Sequence, residues 1–407
     1  SPPPGNGCRT GRSGSAASAA AAAVASRMVC WVVVALGAIP AAFFLYSRYV
    51  SQKPQIYVKV GTKWAETLRK IPVFEETYTP TWWCPFGWAQ TIVRELFRDL
   101  PRLDWERELM RYPDGGQSAL DWLHPKDERL REDATTPIVV FLPGITGSTH
   151  TAAYLLHAAV EVHARGWRAV VANGRGAGGV ELLTPRLYNA GTEEATEDLG
   201  EVLKLVSARY PEAKKVACGF SLGGMILWNY LARCETKEAA RVDSAMVVSS
   251  PWHSMATTVS LEQPFNCFIF NKGILRNCLK LVEPLKPMFK DRLDWEHLMA
   301  SETMRHFDAR FITPLAGLGS VEEYYEATSL APKVARIPVP TLSVNAADDA
   351  FSPTHSIPFN DVCRSANVAV CLTAHGGHTA FMQGANPNDP GFIEKLIVQF
   401  GDAIFAE

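Results

Sequence analysis

The sequence predicts an α/β fold with a mainly parallel central sheet flanked by helices. Short apolar runs of buried-strand type alternate along the chain with longer helix-forming segments. The predicted strands are residues 137–142, 169–172, 215–218, 245–249, 340–345 and 368–373, and the predicted helices are residues 153–165, 192–209 and 390–405. This alternation is typical of sheets whose parallel strands are joined by crossover helices.

A serine lies at one predicted junction between a strand and a helix. Gly219, Ser221 and Gly223 match the Gly-x-Ser-x-Gly pattern, in which a nucleophilic serine stands on a strained turn. Glycines suit this turn because a Cβ at either position would crowd it, and Gly224 lets the following helix pack closely. The pattern predicts an α/β-hydrolase fold with Ser221 as the nucleophile. The alternative is an ordinary glycine-rich connection that carries an incidental serine.

A hydrolase serine needs a base and an acid that orients it, and in this fold they follow the serine in the order acid, histidine. Asp348 and Asp349 come just after one predicted strand, and His375 and His378 follow the next. We predict His378 as the base, because the glycine pair before it lets its loop fold back toward the serine, whereas His375 sits nearer the strand. Two adjacent aspartates cannot both face the imidazole. We prefer Asp348 as the acid, and Asp349 is the alternative.

The tetrahedral intermediate of acyl transfer also needs N–H donors for its oxyanion. The amide after the nucleophile belongs to Leu222, and the loop after the strand at 137–142 supplies a second one, for which Ile145 is the candidate. The same glycine-rich loop is compatible with phosphate binding, but it lacks the G-x-x-x-x-G-K-[ST] pattern. An oxyanion hole made by Leu222 and Ile145 is therefore predicted.

These motifs resemble those of the membrane-anchored abhydrolase-domain lipases and phospholipases. The similar segments are residues 142–147, 219–224, 347–349, 351–353 and 376–378, together with residues 77–84, 113–117, 184–186 and 323–325. The resemblance covers the chain from about residue 50 to about residue 400 and includes motifs far from the predicted site.

The resemblance implies an α/β-hydrolase fold, a single N-terminal membrane segment and hydrolysis of carboxylic esters in lipids, with phosphatidylcholine among the substrates. It also implies a triad of Ser221, Asp348 and His378, since Asp348 has the family's separation from the histidine. Two positions depart from the family pattern. Gly174 stands where a second Asn is usual, and His375 stands where Tyr or Arg is common.

Composition agrees with a globular enzyme. The chain has 407 residues, of which 47% are hydrophobic and 20% are charged, so it can bury a large single core. A net charge of -2 gives no basic footprint for nucleic acid. The nine cysteines show no C-x-x-C pair and no zinc spacing, so we expect no metal site, and the mechanism needs no cofactor.

The N-terminal region predicts attachment to a membrane. Residues 1–27 are rich in Pro, Gly, Ser and Ala and are predicted to be disordered. Residues 28–46 carry no charge and would span about 28 Å as a helix, against roughly 30 Å for a bilayer core. We predict a single-pass transmembrane anchor here, in an endomembrane such as the ER. The alternative is a signal peptide cleaved near Ala41 or Ala42. Basic residues are nearly balanced across the segment, which leaves its orientation open.

The predicted hydrolase domain covers residues 105–407. It follows an aromatic-rich extension, residues 47–104, whose aromatic side chains either rest in a membrane interface or pack in a core. Residues 251–330 show no strand alternation and predict a helical cap over the site. Its apolar side chains either bind a long acyl chain or form the cap's own core. Burial of each CH2 of an acyl chain would contribute about 0.8 kcal/mol to the free energy of binding. They are Trp252, Met255, Phe265, Phe268, Ile269, Phe270 and Leu275.

These observations predict a serine carboxylic-ester hydrolase whose substrate is a membrane lipid, either a phospholipid or an acylglycerol. One alternative is a lipid acyltransferase on the same scaffold, which passes the acyl group to an alcohol or lysolipid instead of water. Another is a hydrolase-fold binding protein without catalytic activity, although no triad residue is missing from this chain. The head group, the acyl length and the sn position are not predicted.

Overall fold

Nine strands form one sheet in the structure, which is a computed structural model. The structure describes residues 14–406, but not the side chains of residues 14–24, 30 and 32–36. The strands are β1 (Gln55–Val58), β2 (Glu106–Arg111), β3 (Gln117–Leu123), β4 (Ile138–Leu142), β5 (Arg168–Ala172), β6 (Lys215–Phe220), β7 (Ser244–Val248), β8 (Thr341–Ala346) and β9 (Val368–Thr373). Their order across the sheet is β1-β9-β8-β7-β6-β4-β5-β3-β2.

The sheet is mainly parallel, as predicted. Strands β4 to β9 pair in parallel, whereas β1, β2 and β3 pair with their neighbours in the antiparallel sense. Every residue of β4, β6, β7, β8 and β9 is buried, which is expected of parallel strands covered by helices on both faces. All six strands predicted from the sequence are present, within a few residues of their predicted bounds.

The helices fall into two groups. Those that precede β7 or follow β8 are α1 (Gly14–Tyr49), α2 (Lys63–Arg69), α3 (Gly87–Phe97), α4 (Glu128–Glu132), α5 (Ala153–Ala164), α6 (Glu193–Arg209), α7 (Leu222–Leu231), α8 (Lys237–Ala240), α17 (Phe359–Val362) and α18 (Phe392–Phe405). Those between β7 and β8 are α9 (Ser254–Leu261), α10 (Pro264–Asn266), α11 (Lys272–Val282), α12 (Lys286–Phe289), α13 (Trp295–Met299), α14 (Met304–Phe307), α15 (Thr313–Leu315) and α16 (Val321–Thr328).

Two apolar cores cover the faces of the sheet. One contains side chains of α2, α5 and α18, and the other contains side chains of α6 and α7 together with those of the helices between β7 and β8. The three helices predicted from the sequence correspond to α5, α6 and α18. The segment predicted as a cap, residues 251–330, is helical and contains two π-helical turns, Cys267–Asn271 and Asp308–Ile312.

The hydrolase core begins earlier in the chain than predicted. β1 pairs with β9, and the Trp64 side chain of α2 meets the Phe400 ring of α18 at 5.9 Å between centroids. The sequence places the start of the hydrolase core near Trp105, whereas these contacts join earlier residues to the sheet and to α18. A four-residue strand that is half exposed carries too little alternation to be recognised from sequence.

The chain enters the core from α1. Residues 14–27, predicted to be disordered with the rest of 1–27, form the first part of this helix, because an alanine run has high helix propensity. Residues 1–13 lie outside the described residues. α1 also contains the segment 28–46 that was predicted to be a transmembrane anchor. In the part of the chain that the structure describes, no helix combines the length and the apolar character needed to cross a membrane.

We expect the aromatic-rich N-terminal segment to contribute to the stability of the whole fold. Replacing the buried Trp64 by Ala should lower the free energy of unfolding by about 3 to 5 kcal/mol, because it leaves a cavity under α18. Denaturation in urea measures this loss. Trp88→Ala is the matched control, since Trp88 lies in the same segment but is 43% exposed. Equal, small effects of both substitutions would contradict a shared core.

Candidate active site

The serine stands on a sharp turn between β6 and α7. Ser221 has φ 50° and ψ -116°, a strained conformation for a residue with a side chain. A Cβ on Gly219 would lie 2.6 Å from the backbone of Gly224, and a Cβ on Gly223 would lie 2.3 Å from the Leu142 carbonyl oxygen. The glycines of the motif are therefore required by close backbone approach, which is the structure that the sequence predicted.

The predicted base lies beside this serine. His378 Nε2 is 2.8 Å from Ser221 Oγ, so the hydroxyl can donate its hydrogen to the ring. The imidazole is largely buried and stacks on the Phe351 ring, with centroids 4.0 Å apart. A neutral imidazole in this position can accept the serine proton during attack on a carbonyl carbon.

The loop that carries the histidine is held by α3. The His378 N–H donates to Thr91 Oγ1 at 2.8 Å, and the Thr91 hydroxyl donates to the Gly87 carbonyl at 2.9 Å. Gly377, at φ 60°, approaches the same turn so closely that a Cβ would lie 2.1 Å from the Gly87 oxygen. Sequence reasoning missed Thr91, because nothing local in the sequence places α3 against a loop nearly 300 residues later.

The carboxylate next to the imidazole of His378 belongs to Asp349 and not to Asp348, which was preferred from the sequence. His378 Nδ1 lies 2.9 Å from Asp349 Oδ2 and 3.2 Å from Oδ1, and the Asp349 side chain is fully buried. The turn after β8 sets this orientation: the Asp349 N–H donates to the Ala346 carbonyl, and Asp349 Oδ1 accepts from the Phe351 N–H. The buried carboxylate favours the tautomer with hydrogen on Nδ1, which leaves Nε2 free to accept.

Asp348 has a different set of partners. Its carboxylate accepts hydrogen bonds from the Gly87 N–H at 3.0 Å and the Gly377 N–H at 2.9 Å, and it lies 2.9 Å from His375 Nδ1. The Gly87 N–H is the first of α3, so the negative charge sits at a helix N-terminus, where it is stabilised. Asp348 thus joins α3 to the histidine loop, and His375 is its partner at the surface.

The two predicted oxyanion donors lie at the serine with their N–H groups free. The loop after β4 contacts the serine, since a Cβ on Gly144 would lie 3.3 Å from Ser221 Cβ. The Gly144 N–H donates to Tyr154 Oη at 2.8 Å and the Thr146 N–H donates to Tyr188 Oη at 2.9 Å. Within the described residues, the Ile145 N–H between these two has no hydrogen-bond partner. The same is true of the Leu222 N–H, in the first turn of α7.

The two tyrosines keep the oxyanion loop in place. Burial raises the pKa of both Tyr154 and Tyr188 above the usual value, so their hydroxyls stay neutral near pH 7 and can accept the amide hydrogens. They accept the N–H groups of Gly144 and Thr146, whereas the Ile145 N–H between these two has no partner among the described residues. This role could not be predicted from the sequence, because the pattern around such a tyrosine is the same as around any other core aromatic residue.

A cavity of about 660 Å³ lies next to the site. Its wall includes Asp348, Asp349 and His375 from the site loops, Trp88 from α3 and Phe265 from the segment between β7 and β8. Ser221 and His378 are not in this wall, so the cavity borders the acid side of the site. No group of three or more His, Cys, Asp or Glu side chains within the described residues is placed to hold a metal ion.

Comparison with known proteins identifies the family. A family model described as "Serine aminopeptidase, S33" matches residues 133–383. The chain is 46% identical over 367 residues to Protein abhd-3.2 of Caenorhabditis elegans. The aligned residues cover 90% of this chain and 96% of that protein. It is 37% identical over 372 residues to Phospholipase ABHD3 of Homo sapiens, covering 91% and 89% of the two chains. It is 26% identical over 400 residues to Monoacylglycerol lipase ABHD2 of Mus musculus, covering 91% of each.

The chain belongs to the abhydrolase family of lipases and phospholipases. The resemblance seen in its motifs is confirmed, and the chain is a serine hydrolase with an α/β-hydrolase sheet. Its two departures from the abhydrolase pattern have local consequences. A Cβ on Gly174 would lie 2.5 Å from the Tyr188 ring, so a larger residue here would displace the tyrosine that holds Thr146. His375 is the residue that pairs with Asp348.

The two aspartates should differ in their effect on turnover. We expect Asp349→Asn to lower kcat by roughly 10⁴-fold, because the amide favours the wrong imidazole tautomer. Asp348→Asn should lower kcat by about 10- to 100-fold, because it loosens the loop without removing the partner of the ring. Steady-state hydrolysis of a soluble ester measures both. A larger loss for Asp348→Asn than for Asp349→Asn would restore Asp348 as the orienting acid.

Proposed function

We propose that this protein hydrolyses carboxylic esters of membrane phospholipids through Ser221, His378 and Asp349. The observation that carries the proposal is the continuous hydrogen-bonded chain from the Asp349 carboxylate through both ring nitrogens of His378 to Ser221 Oγ. The two free amides beside Ser221 complete the set of groups that acyl transfer requires.

The proposed mechanism assigns a role to each group of the site. His378 Nε2 takes the hydroxyl proton as Ser221 Oγ attacks the ester carbonyl, and Asp349 stabilises the imidazolium that forms. The N–H groups of Leu222 and Ile145 donate to the oxyanion of the tetrahedral intermediate. His378 then gives its proton to the leaving alcohol, which here is the lysolipid. Water, deprotonated by His378, attacks the acyl-enzyme and releases the fatty acid.

Similarity favours a phospholipid over a monoacylglycerol as the substrate. The relative named as a phospholipase is 37% identical to this chain, whereas the relative named as a monoacylglycerol lipase is 26% identical. The segment between β7 and β8 supports an apolar substrate in part. Trp252, Phe270 and Leu275 are buried in the core that the segment shares with the rest of the domain, but Phe265 and Phe268 are exposed. The second pair is therefore free to contact lipid.

We also propose that the protein acts while attached to a membrane by residues 28–46. The support for this is the length of the segment and its uncharged sequence. The full chain expressed in cells should stay in the membrane pellet after extraction with alkaline carbonate. Release into the supernatant would contradict a spanning anchor, and the same chain without residues 1–50 is the control for attachment by the folded domain.

Loss of Ser221 should abolish hydrolysis. We expect Ser221→Ala to lower release of fatty acid from phosphatidylcholine by at least about 10⁴-fold, because the acyl-enzyme cannot form. A fluorophosphonate probe should label the wild-type serine and leave the variant unlabelled. Ser207→Ala is the control, since among the described residues the Ser207 hydroxyl has one hydrogen-bond partner, the Arg241 carbonyl at 3.4 Å. A folded Ser221→Ala variant that still released fatty acid would defeat the proposal, whereas transfer of the acyl chain to an added lysolipid would identify an acyltransferase.

A further inference from the structure

One helical segment of the insertion between β7 and β8 is amphipathic. It runs from Pro264 through the π-helical turn at Cys267–Asn271 to the end of α11 at Val282. Its inner side buries Phe270, Leu275 and Val282. The Phe270 ring packs on Phe351 at 5.3 Å between centroids, so this inner side rests directly on the loop that covers His378.

The outer side of the same segment begins with two exposed aromatic rings. Phe265 is 53% exposed and Phe268 is 75% exposed, which is unusual for side chains of this size in a soluble domain. Trp88 of α3 extends the patch, because its ring meets Phe265 edge to face at 5.6 Å. Trp88 and Phe265 line the cavity beside Asp349, and Phe268 comes three residues after Phe265 in the chain.

A row of basic side chains continues this outer side. Lys272, Arg276 and Lys280 are exposed and lie four residues apart, so they follow one side of α11. Between Pro264 and Lys290 there are five basic residues and one acidic residue, Glu283. In the described part of the chain, no carboxylate pairs with any of the three basic residues of α11. Their positive charges therefore face solvent without neutralisation.

The N-terminal helix ends next to this patch. Tyr46, in the last turn of α1, packs on Phe86 at 5.2 Å between centroids, and Phe86 is the residue immediately before α3. Phe86 and Trp88 both line the cavity. The end of α1, the aromatic patch and the cavity therefore occupy one region of the surface.

We propose that Trp88, Phe265, Phe268 and the α11 row of Lys272, Arg276 and Lys280 form a docking surface for a lipid bilayer with anionic head groups. Aromatic rings favour the head-group region of a bilayer, and unpaired basic side chains are attracted to its negative surface potential. Docking in this way places the cavity against the lipid. This docking surface rests on the proposed phospholipid hydrolysis and explains how a lipid in a bilayer would reach the site.

Vesicle assays test the basic row. The full-length protein should hydrolyse phosphatidylcholine faster in vesicles that also contain phosphatidylserine. The variant Lys272→Glu/Arg276→Glu/Lys280→Glu should lose this stimulation, by about tenfold or more, because three attractive charges become repulsive. The control Lys126→Glu/Arg129→Glu/Lys395→Glu reverses three exposed charges elsewhere and should behave as wild type. Equal stimulation of both triple variants would overturn the proposal.

A soluble short-chain ester separates this proposal from the proposed activity. The α11 variant should hydrolyse it at the wild-type rate, because no charge near Ser221 changes. If the wild-type protein hydrolyses neither the soluble ester nor the vesicle lipid, the proposed activity is wrong. The docking surface is then judged by the photocrosslinking experiment alone.

Photocrosslinking tests the aromatic patch separately from any attachment by α1. A photoreactive benzophenone amino acid at position 268 should give lipid adducts in proteoliposomes that contain phosphatidylserine, detected by mass spectrometry. The same amino acid at position 130, where Leu130 is also exposed, should give none. Adducts to an acidic protein in place of lipid at position 268, or equal lipid adducts at both positions, would overturn the proposal.

Discussion

The position of His378 depends on its attachment to α3. Thr91 fixes the His378 N–H, and the Asp348 carboxylate holds both Gly377 of the loop and Gly87 at the start of the helix. Neither contact is made by the sheet that carries Ser221. A segment near the N-terminus thus packs against a loop near the C-terminus and helps to hold His378 at the serine, together with the hydrogen bond from the Thr379 N–H to Ser249 Oγ after β7. This long-range contact joins α3 to the site.

This constraint explains why the two adjacent aspartates have separate tasks. A carboxylate shared between the ring and the helix start would be pulled away from Nδ1 by two N–H donors. With two carboxylates, Asp349 is buried and bonds the ring, while Asp348 is partly exposed and bonds the backbone of two elements. His375 completes the hydrogen bonding of Asp348 at the surface. The second Asp–His pair therefore positions the first and does not compete with it.

Much of the fold could be predicted from sequence, because buried parallel strands are apolar along their whole length and the elbow glycines mark one junction. The nucleophile, the base and both oxyanion amides were also predicted in positions that the structure brings together, although their catalytic roles stay predictions. The choice between Asp348 and Asp349 could not be made. The choice depends on the direction in which each aspartate side chain points from the turn after β8. The sequence pattern of two adjacent, identical residues does not predict that direction. β1 and Thr91 were missed for a related reason, since their partners lie about 300 residues away.

The insertion between β7 and β8 connects this chemistry to the surface. Phe270 packs on Phe351, and Phe351 stacks on the imidazole, so the rigidity of the segment and the orientation of His378 are physically linked. The same segment exposes Phe265 toward Trp88 of α3, which also carries Thr91. Both elements that position the base thus contribute to one apolar surface beside it. A substrate that stays in a bilayer can reach a buried serine only if the protein brings the site to the membrane. Here α3 and the insertion position His378 and also form the proposed contact surface, so the same two elements meet both requirements.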